Sequence, residues 1–216
     1  MTGLIVHGRA TSSNVQAVLW GMAELGLEPE RVDVGGRHGG NDDPAFREIS
    51  PMGLVPALQD GNIALFESAA ILRYISQRYG DGRLWPGVPE ARAQVDQWAE
   101  WGKHTFGAAF TVPIFWAHYR TAEPDRDVSA IAKSVSRFES LMQTIIPRLD
   151  QTAFIVNDDL SLADIWVGHV LYRYFTLDIP RETPPQIKDY YQRLASRPAY
   201  KTHVMVDYSE LKASAS

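Results

Sequence analysis

The stretch GDGRLWPGVPE, residues 80–90, constrains this 216-residue chain more than any other. It is dense in glycine and proline, the composition of a connection rather than of an element. Apolar spacing changes across it. Before it, short apolar runs that read as strands alternate with runs of helical period; after it, almost everything is helix-periodic. A chain with that asymmetry folds as two domains, each with its own core, and its length suffices for both.

The first eighty residues follow the order β-α-β-α-β-β-α. GLIVHG (3–8) is a strand, RATSSN a polar turn, and Val15, Val18, Leu19, Met22 and Leu25 recur at helical spacing until Gly26 ends the pattern. EPERVDVGG supplies a second strand, and NDDPAFREI a short helix opened by Asn41 to Asp43. Val55–Leu58 and Ile63–Leu65 form a hairpin across QDGN, and ESAAILRYISQRYG is a helix with Ile71, Leu72, Ile75 and Tyr79 on one face. Such an order builds a mixed sheet flanked by helices. Beyond residue 88 helices are expected over 89–121, 126–150, 161–176, 185–196 and near 198–206, with Pro113 kinking or dividing the first. The tail SELKASAS is expected to fray.

Bulk composition excludes several classes of function. A net charge of −5, with no lysine- or arginine-rich run, argues against a nucleic-acid partner. The chain has no cysteine, which removes disulfides, CxxC redox chemistry and thiolate metal sites. Its six histidines show no metal-ligand spacing, so no metal is expected. The glycines of GGRHGG match neither GxGxxG nor a P-loop and read as flexibility, and there is no GxSxG. No signal peptide or membrane-length apolar run is present, so a cytoplasmic protein with no membrane partner is expected.

One short run resists that scheme. In SPMGLVPAL (50–58) a proline interrupts a strand, although proline cannot donate to a sheet ladder. Pro56 either confines the strand to an edge or follows a cis Val55–Pro56 bond. A cis bond turns the strand end so that the Val55 N–H and C=O face outward, open to an extended peptide that adds alongside.

The βαβαββα half, GLVPAL followed at fixed spacing by LFESAAILRYI, and the helical remainder together resemble the cytosolic glutathione S-transferases over the whole chain. The likeness is to bacterial serine-type (theta- or nu-like) members. It implies an α+β, two-domain glutathione transferase fold. A thioredoxin-like, glutathione-binding domain would span 1–80, a linker 81–87, and an all-α domain forming the electrophile site 88–216. The implied activity is transfer of glutathione, as co-substrate, to a small hydrophobic electrophile in a detoxifying homodimer. Val55 and Pro56 would hold the cysteinyl unit. Glu67 and Ser68 open a helix, where free N–H groups favour a carboxylate and Glu67 favours an ammonium group; the γ-glutamyl end has both. Ordinary capping by the same two residues is compatible with that role. Arg37 and His38, with Arg9 as a further candidate, would meet the glycyl carboxylate. Leu54 stands where many relatives carry lysine or glutamine.

A thiol of pKa about 8.5 is only about 3% ionised at pH 7, and lowering it by about 2 units costs roughly 2.7 kcal/mol of differential stabilisation. A hydroxyl or amide donor backed by a helix N-terminus is adequate. Ser12, Asn14 and Ser13 are the candidates, in that order. Ser12 falls where theta- and delta-like transferases carry serine, Asn14 is a second donor, and Ser13 suits the helix N-cap. The loop has no tyrosine, unlike the alpha, mu and pi classes, and no cysteine, unlike beta and omega.

The electrophile is expected between the domains, against WAEWGKHTFGAAF, with Trp101, His104, Thr105, Ala108 and Phe115 on the facing helix and Trp98 in the core. In SLADIWVGHVL, Ser161 and Asp164 form a capping box, which assigns Asp164 to folding rather than chemistry. Two other activities compete: a glutathione-dependent disulfide reductase, favoured by Asn14, and a glutathione-binding module without catalysis, favoured by Leu54. A zeta-like isomerase is only half matched by Ser12-Ser13-Asn14.

Overall fold

The structure is a computed structural model that describes residues 3–213. It divides into two compact units. One comprises the chain up to Gly87 together with Ala199–Val206; the other comprises Val88–Pro198 and the residues from Asp207 onward.

In the first unit the order is β1 (Leu4–His7), α1 (Ser13–Glu24), β2 (Glu30–Val32), α2 (Pro44–Ile49), β3 (Ala57–Asp60), β4 (Ile63–Phe66) and α3 (Ser68–Tyr79). The sheet runs β2-β1-β3-β4; β1 pairs parallel with β2 and antiparallel with β3, and β3–β4 is the expected hairpin. Alternation sends Leu4, Val6 and Leu58 to one face, where they are buried with Val15, Val18 and Met22 of α1 and Ile71, Leu72 and Ile75 of α3. Each fully buried aliphatic side chain contributes about 1.5–3 kcal/mol of transfer free energy. Contact between α1 and α3 is close: a Cβ at Gly21 would lie 2.4 Å from Leu72 Cδ2. Val34, Phe46 and Ala57 form a second cluster, with Val32, Ile49 and Val55 against it.

The segment 199–206, at the far end of the chain, belongs to this unit and not to the helical one. Tyr200 of α11 (Pro198–His203, after the helices below) is fully buried and meets Trp20 edge-on at 4.8 Å, which explains the return of the chain.

The second unit is helical: α4 (Pro89–Trp101), α5 (Ala108–Phe110), α6 (Ala117–Tyr119), α7 (Val128–Met142), α8 (Ile146–Leu149), α9 (Leu162–Thr176) and α10 (Pro185–Ser196). From Pro89 to Tyr119 the chain is helical throughout, with π-helical turns at Gly102–Gly107 and Thr111–Trp116 joining α4, α5 and α6. Pro113 therefore does not divide the run. A wide turn accommodates its missing N–H, and the Thr111 hydroxyl donates to the Gly107 carbonyl (2.8 Å). The expected helix over 126–150 is two, α7 and α8, parted near Gln143 with proline in the first turn of α8.

Helix α9 is buried on nearly every side, as an element apolar all round must be. The tail is ordered as far as it is described: Ser209–Leu211 is a 3₁₀ turn and the Ala213 N–H donates to the Tyr119 carbonyl (3.0 Å). Residues 214–216 of the tail lie outside the described residues.

Candidate functional site

The Val55–Pro56 peptide bond is cis, as expected. Ladder pairing of β3 with β1 begins one residue later, at Ala57 opposite His7. Among the described residues neither the Val55 N–H nor its C=O has a hydrogen-bond partner within the protein. A buried main-chain pair left this way would be costly, but Val55 is only partly buried. Its neighbours are fixed: the Ser50 hydroxyl donates to the Leu54 carbonyl (2.8 Å) and the Asn41 amide donates to the Gly53 carbonyl (2.6 Å). Gly53 is held at φ 62°, and a Cβ there would lie 2.8 Å from the Asn41 carbonyl oxygen. Asn41 therefore positions the turn that presents Val55. Nothing in the sequence pattern marks it beyond its place at the start of a helix.

Gly8 joins this turn to the β1–α1 loop. A Cβ on Gly8 would stand 2.4 Å from Val15 Cγ2 and 3.2 Å from Val55 Cβ, so strand end, first helical turn and Val55 meet where only glycine fits. The loop beyond is held at both sides. Gly8 and Arg9 N–H donate to the Val32 and Val34 carbonyls (2.8 and 3.0 Å), and Ser12 N–H donates to the Arg9 carbonyl (3.1 Å).

Ser12, not Ser13, is the N-cap of α1. Its extended backbone (φ −80°, ψ 122°) and its carbonyl, which accepts from Gln16 N–H at 2.9 Å, define the helix start. Its hydroxyl makes no capping bond, so the position is a cap in backbone only. Ser13 and Asn14 follow in the first turn, and neither side chain has a partner among the described residues. The loop thus sets unengaged polar side chains at a helix N-terminus, where α1 adds a partial positive charge.

At α3, Glu67 is the N-cap with φ 66° and ψ 109°, a conformation that costs a non-glycine residue about 1–3 kcal/mol. Such outliers persist where the surroundings enforce them and cluster at functional sites. Glu67 occupies the N-cap without a side-chain capping bond. The first N–H groups of α3 point out of the helix, Ser68 is buried and Glu67 is exposed.

Arg37 and His38 lie in a 3₁₀ turn, Gly36–His38, and both are exposed. His38 Nε2 is 3.8 Å from Asp33 Oδ1, Arg37 Nε donates to His38, and Arg31 pairs with Asp33. Hydrogen bonding from Arg31 holds the Asp33 carboxyl below its ordinary range. GGRHGG is not a flexible linker. A Cβ on Gly36, at φ 60°, would lie 2.9 Å from Arg9 Cδ, and Gly35 N–H donates to the Gly39 carbonyl (2.7 Å). These glycines let the Arg9 side chain lie along the turn.

In the helical unit His104, Thr105 and Ala108 share a hollow of about 360 Å³ with Ala109, Pro113, Ser134 and Arg137. His104 pairs with Glu100 (3.2 Å). Trp101 is half-buried, packed edge-on against Trp98 and tilted on Phe106. Trp98, expected in the core, is also only half-buried. Phe115 is corrected: it is 1% exposed, stacked on Tyr119 and packed against Tyr208, with no surface for a substrate. Val112 and Trp116 are exposed instead (56% and 45%). The reason is the wide turn, which takes up an extra residue and moves the outward face from 115 to 116.

Asp164 closes the capping box and has no chemistry left over. It is fully buried and accepts from Ser161 N–H and Oγ (both 2.9 Å), Ile155 N–H (3.0 Å) and Tyr190 OH (2.9 Å). Burial pushes its carboxyl up, and these four donors oppose that. Among the described residues no group of three or more His, Asp or Glu could hold a metal ion, and no helix is long and apolar enough to cross a membrane.

Comparison with known proteins agrees over the whole chain. Residues 6–83 match the family model for the glutathione S-transferase N-terminal domain, and residues 104–198 that for its C-terminal domain. Glutathione S-transferase GstB of Escherichia coli K12 is 33% identical over 208 residues, covering 95% of this chain and 100% of its own. The probable glutathione S-transferase GSTF1 of Oryza sativa is 29% identical, covering 93% and 95%. The crystal structure of a theta class glutathione S-transferase from Xanthomonas axonopodis pv. citri, with glutathione bound, has a TM-score of 0.89 at 37% identity and covers 96% of this chain and 99% of that one.

Proposed function

The chain belongs to the glutathione S-transferase family, and from that premise we propose that it is a serine-type transferase that adds glutathione to a hydrophobic electrophile. The observation that carries this reading is the open Val55 main chain, joined through Gly8 to the loop that holds Ser12. Glutathione lies as an extra strand, its cysteinyl N–H and C=O exchanging hydrogen bonds with Val55. That docking brings the thiol to the N-terminus of α1, where the Ser12 hydroxyl donates to the developing thiolate and Asn14 is the second donor. The γ-glutamyl carboxylate takes the first N–H groups of α3 and the Ser68 hydroxyl, while Glu67 faces the ammonium group. Arg37 and His38, with Arg9, meet the glycyl carboxylate.

The thiolate then attacks the electrophile's carbon, the S–C bond forming as the leaving group departs with its electron pair. His104, Thr105, Ala108 and Trp101 are the residues we assign to electrophile binding. Phe115 is excluded by its burial. The enzyme works in the cytoplasm as a homodimer; the exposed Ile63 and Phe66 on edge strand β4 are apolar surface suited to a second copy.

A crystal of the protein with glutathione tests the assignment. Both Val55 main-chain atoms are expected within about 3.2 Å of the cysteinyl unit, with the sulfur in reach of Ser12 Oγ. A tripeptide bound elsewhere, or no conjugation of a chloronitrobenzene, would overturn it.

A further inference from the structure

A thiolate needs donors around it, and a loop that aimed its carbonyl oxygens at the sulfur would oppose ionisation. In the β1–α1 loop, four of the five carbonyls from Gly8 to Ser12 are tied down within the protein. Gly8 C=O accepts from Arg31 Nη1 (3.1 Å), and Arg9 C=O from Ser12 N–H (3.1 Å). Ala10 C=O accepts from Gln16 Nε2 (2.9 Å), and Ser12 C=O from Gln16 N–H (2.9 Å). The main chain supplies two of these bonds. Side chains supply the other two, and neither of those side chains belongs to the loop.

Gln16 stands where core packing alone would not put it. Residues Val15 to Met22 of α1 are buried throughout, and Gln16 is the one amide among them, with no charged residue in the run. At 1% exposure it has no surface for a ligand. A leucine there would bury apolar area with no polar group to desolvate, whereas an amide must be desolvated and then offset by hydrogen bonds. Stability of the core therefore gives no reason for glutamine at this position, and the Ala10 carbonyl does. The residue holds the loop twice, at Ser12 through its main chain and at Ala10 through its side chain. Arg31 holds the start of the loop from β2, where it is exposed and also pairs with Asp33. Thus braced, the loop keeps Ser12 at φ −80° and ψ 122° with its hydroxyl uncapped, beside the unengaged side chains of Ser13 and Asn14.

We propose that Gln16 is a positioning residue for the transferase reaction. Its buried amide, with Arg31 from the neighbouring strand, keeps the loop carbonyls turned inward, so that donors rather than carbonyl oxygens face the glutathione sulfur. This role rests on the assignment of the thiol to the Ser12 loop, and it is exerted without contact to either substrate.

The test compares the parent enzyme with Gln16→Met, which keeps the volume and removes the donor, and with Arg31→Met. The ionisation of bound glutathione is followed by the ultraviolet absorbance of its thiolate, and conjugation by steady-state kinetics with a chloronitrobenzene. In Gln16→Met the midpoint of thiol ionisation should rise by about one pH unit and kcat/KM should fall about tenfold, while KM for glutathione stays within about twofold because Val55 and α3 still hold the tripeptide. Arg31→Met should move both quantities in the same direction, by about threefold in rate. Arg31 is exposed, so its replacement keeps the fold even where Gln16→Met does not. A merely structural glutamine would lower the yield or stability of folded enzyme and leave the thiol midpoint where it was. An unmoved midpoint in either folded variant, or a raised KM for glutathione with the midpoint unmoved, would overturn the proposal. Failure of the parent enzyme to conjugate would sink the transferase reading itself, whereas a parent and variants that ionise the thiol alike leave that reading standing and remove this one.

Discussion

Two helix starts in this molecule carry the same kind of residue and use it in opposite ways. At α9, Ser161 and Asp164 are closed on themselves, with four donors on one buried carboxyl group. At α1, Ser12 occupies the equivalent capping position and its hydroxyl caps nothing, while the neighbouring Val55 main chain is open. Residue type does not separate a serine closed into its own helix start from one left open. Hydrogen-bond closure does.

The comparison breaks most visibly at its closed end. Asp164→Ala strands buried donors from Ser161, Ile155 and Tyr190, and should lower unfolding stability by about 4 kcal/mol in denaturant titration while leaving kcat of the folded fraction unchanged. A kcat loss at full stability would move Asp164 into the chemistry.

Ser12→Ala is the converse. Stability should hold within about 0.5 kcal/mol, because no cap bond is lost, while kcat/KM falls roughly 10- to 1000-fold and the pH at which the bound thiol ionises rises. An unchanged rate would pass the role to Asn14 or Ser13.

Asn41→Ala sharpens the contrast, since Asn41 acts on the open site only through Gly53. KM for glutathione should rise about tenfold with kcat nearly constant, and the thiol's pH profile should not move. A shift in that profile would mean that Asn41 touches the sulfur.

Near neutral pH the smallest effect comes from His169, buried in α9 with Nδ1 at 2.8 Å from the Trp166 carbonyl oxygen. Burial lowers its pKa from 6.5 to about 3. Below the unfolded value only the unfolded chain takes up the proton, so stability is complete near neutrality and falls as pH drops from 6.5 toward 3. The slope is at most about 1.4 kcal/mol per pH unit, and His169→Gln should flatten it in acid unfolding curves.

Much of this was legible in the amino-acid sequence because it is local. The strand and helix order of the first unit follows from periodicity, and Pro56 inside an apolar run announced an interrupted strand. The Ser161–Asp164 box is a spacing. What escaped depends on backbone states that periodicity does not encode. The positive φ of Glu67 has no residue signature, since glutamate is not a residue that seeks it. Ser12 and Ser13 are adjacent and alike, so only φ and ψ choose the cap. Asn41 reaches Gly53 across a loop, and GGRHGG looked slack because the Arg9 side chain that fills it comes from another segment. Phe115 and Trp116 exchanged places because a spacing of 3.6 assumes ordinary winding.

The two wide turns between Gly102 and Trp116 have a wider consequence. Each takes up one surplus residue within its own length, so losing that residue would return the turn to ordinary winding and leave the side chains downstream facing as before. A lineage carrying such a turn can therefore change what is presented at the turn itself by a single-codon loss, without altering one residue of the domain that receives the tripeptide.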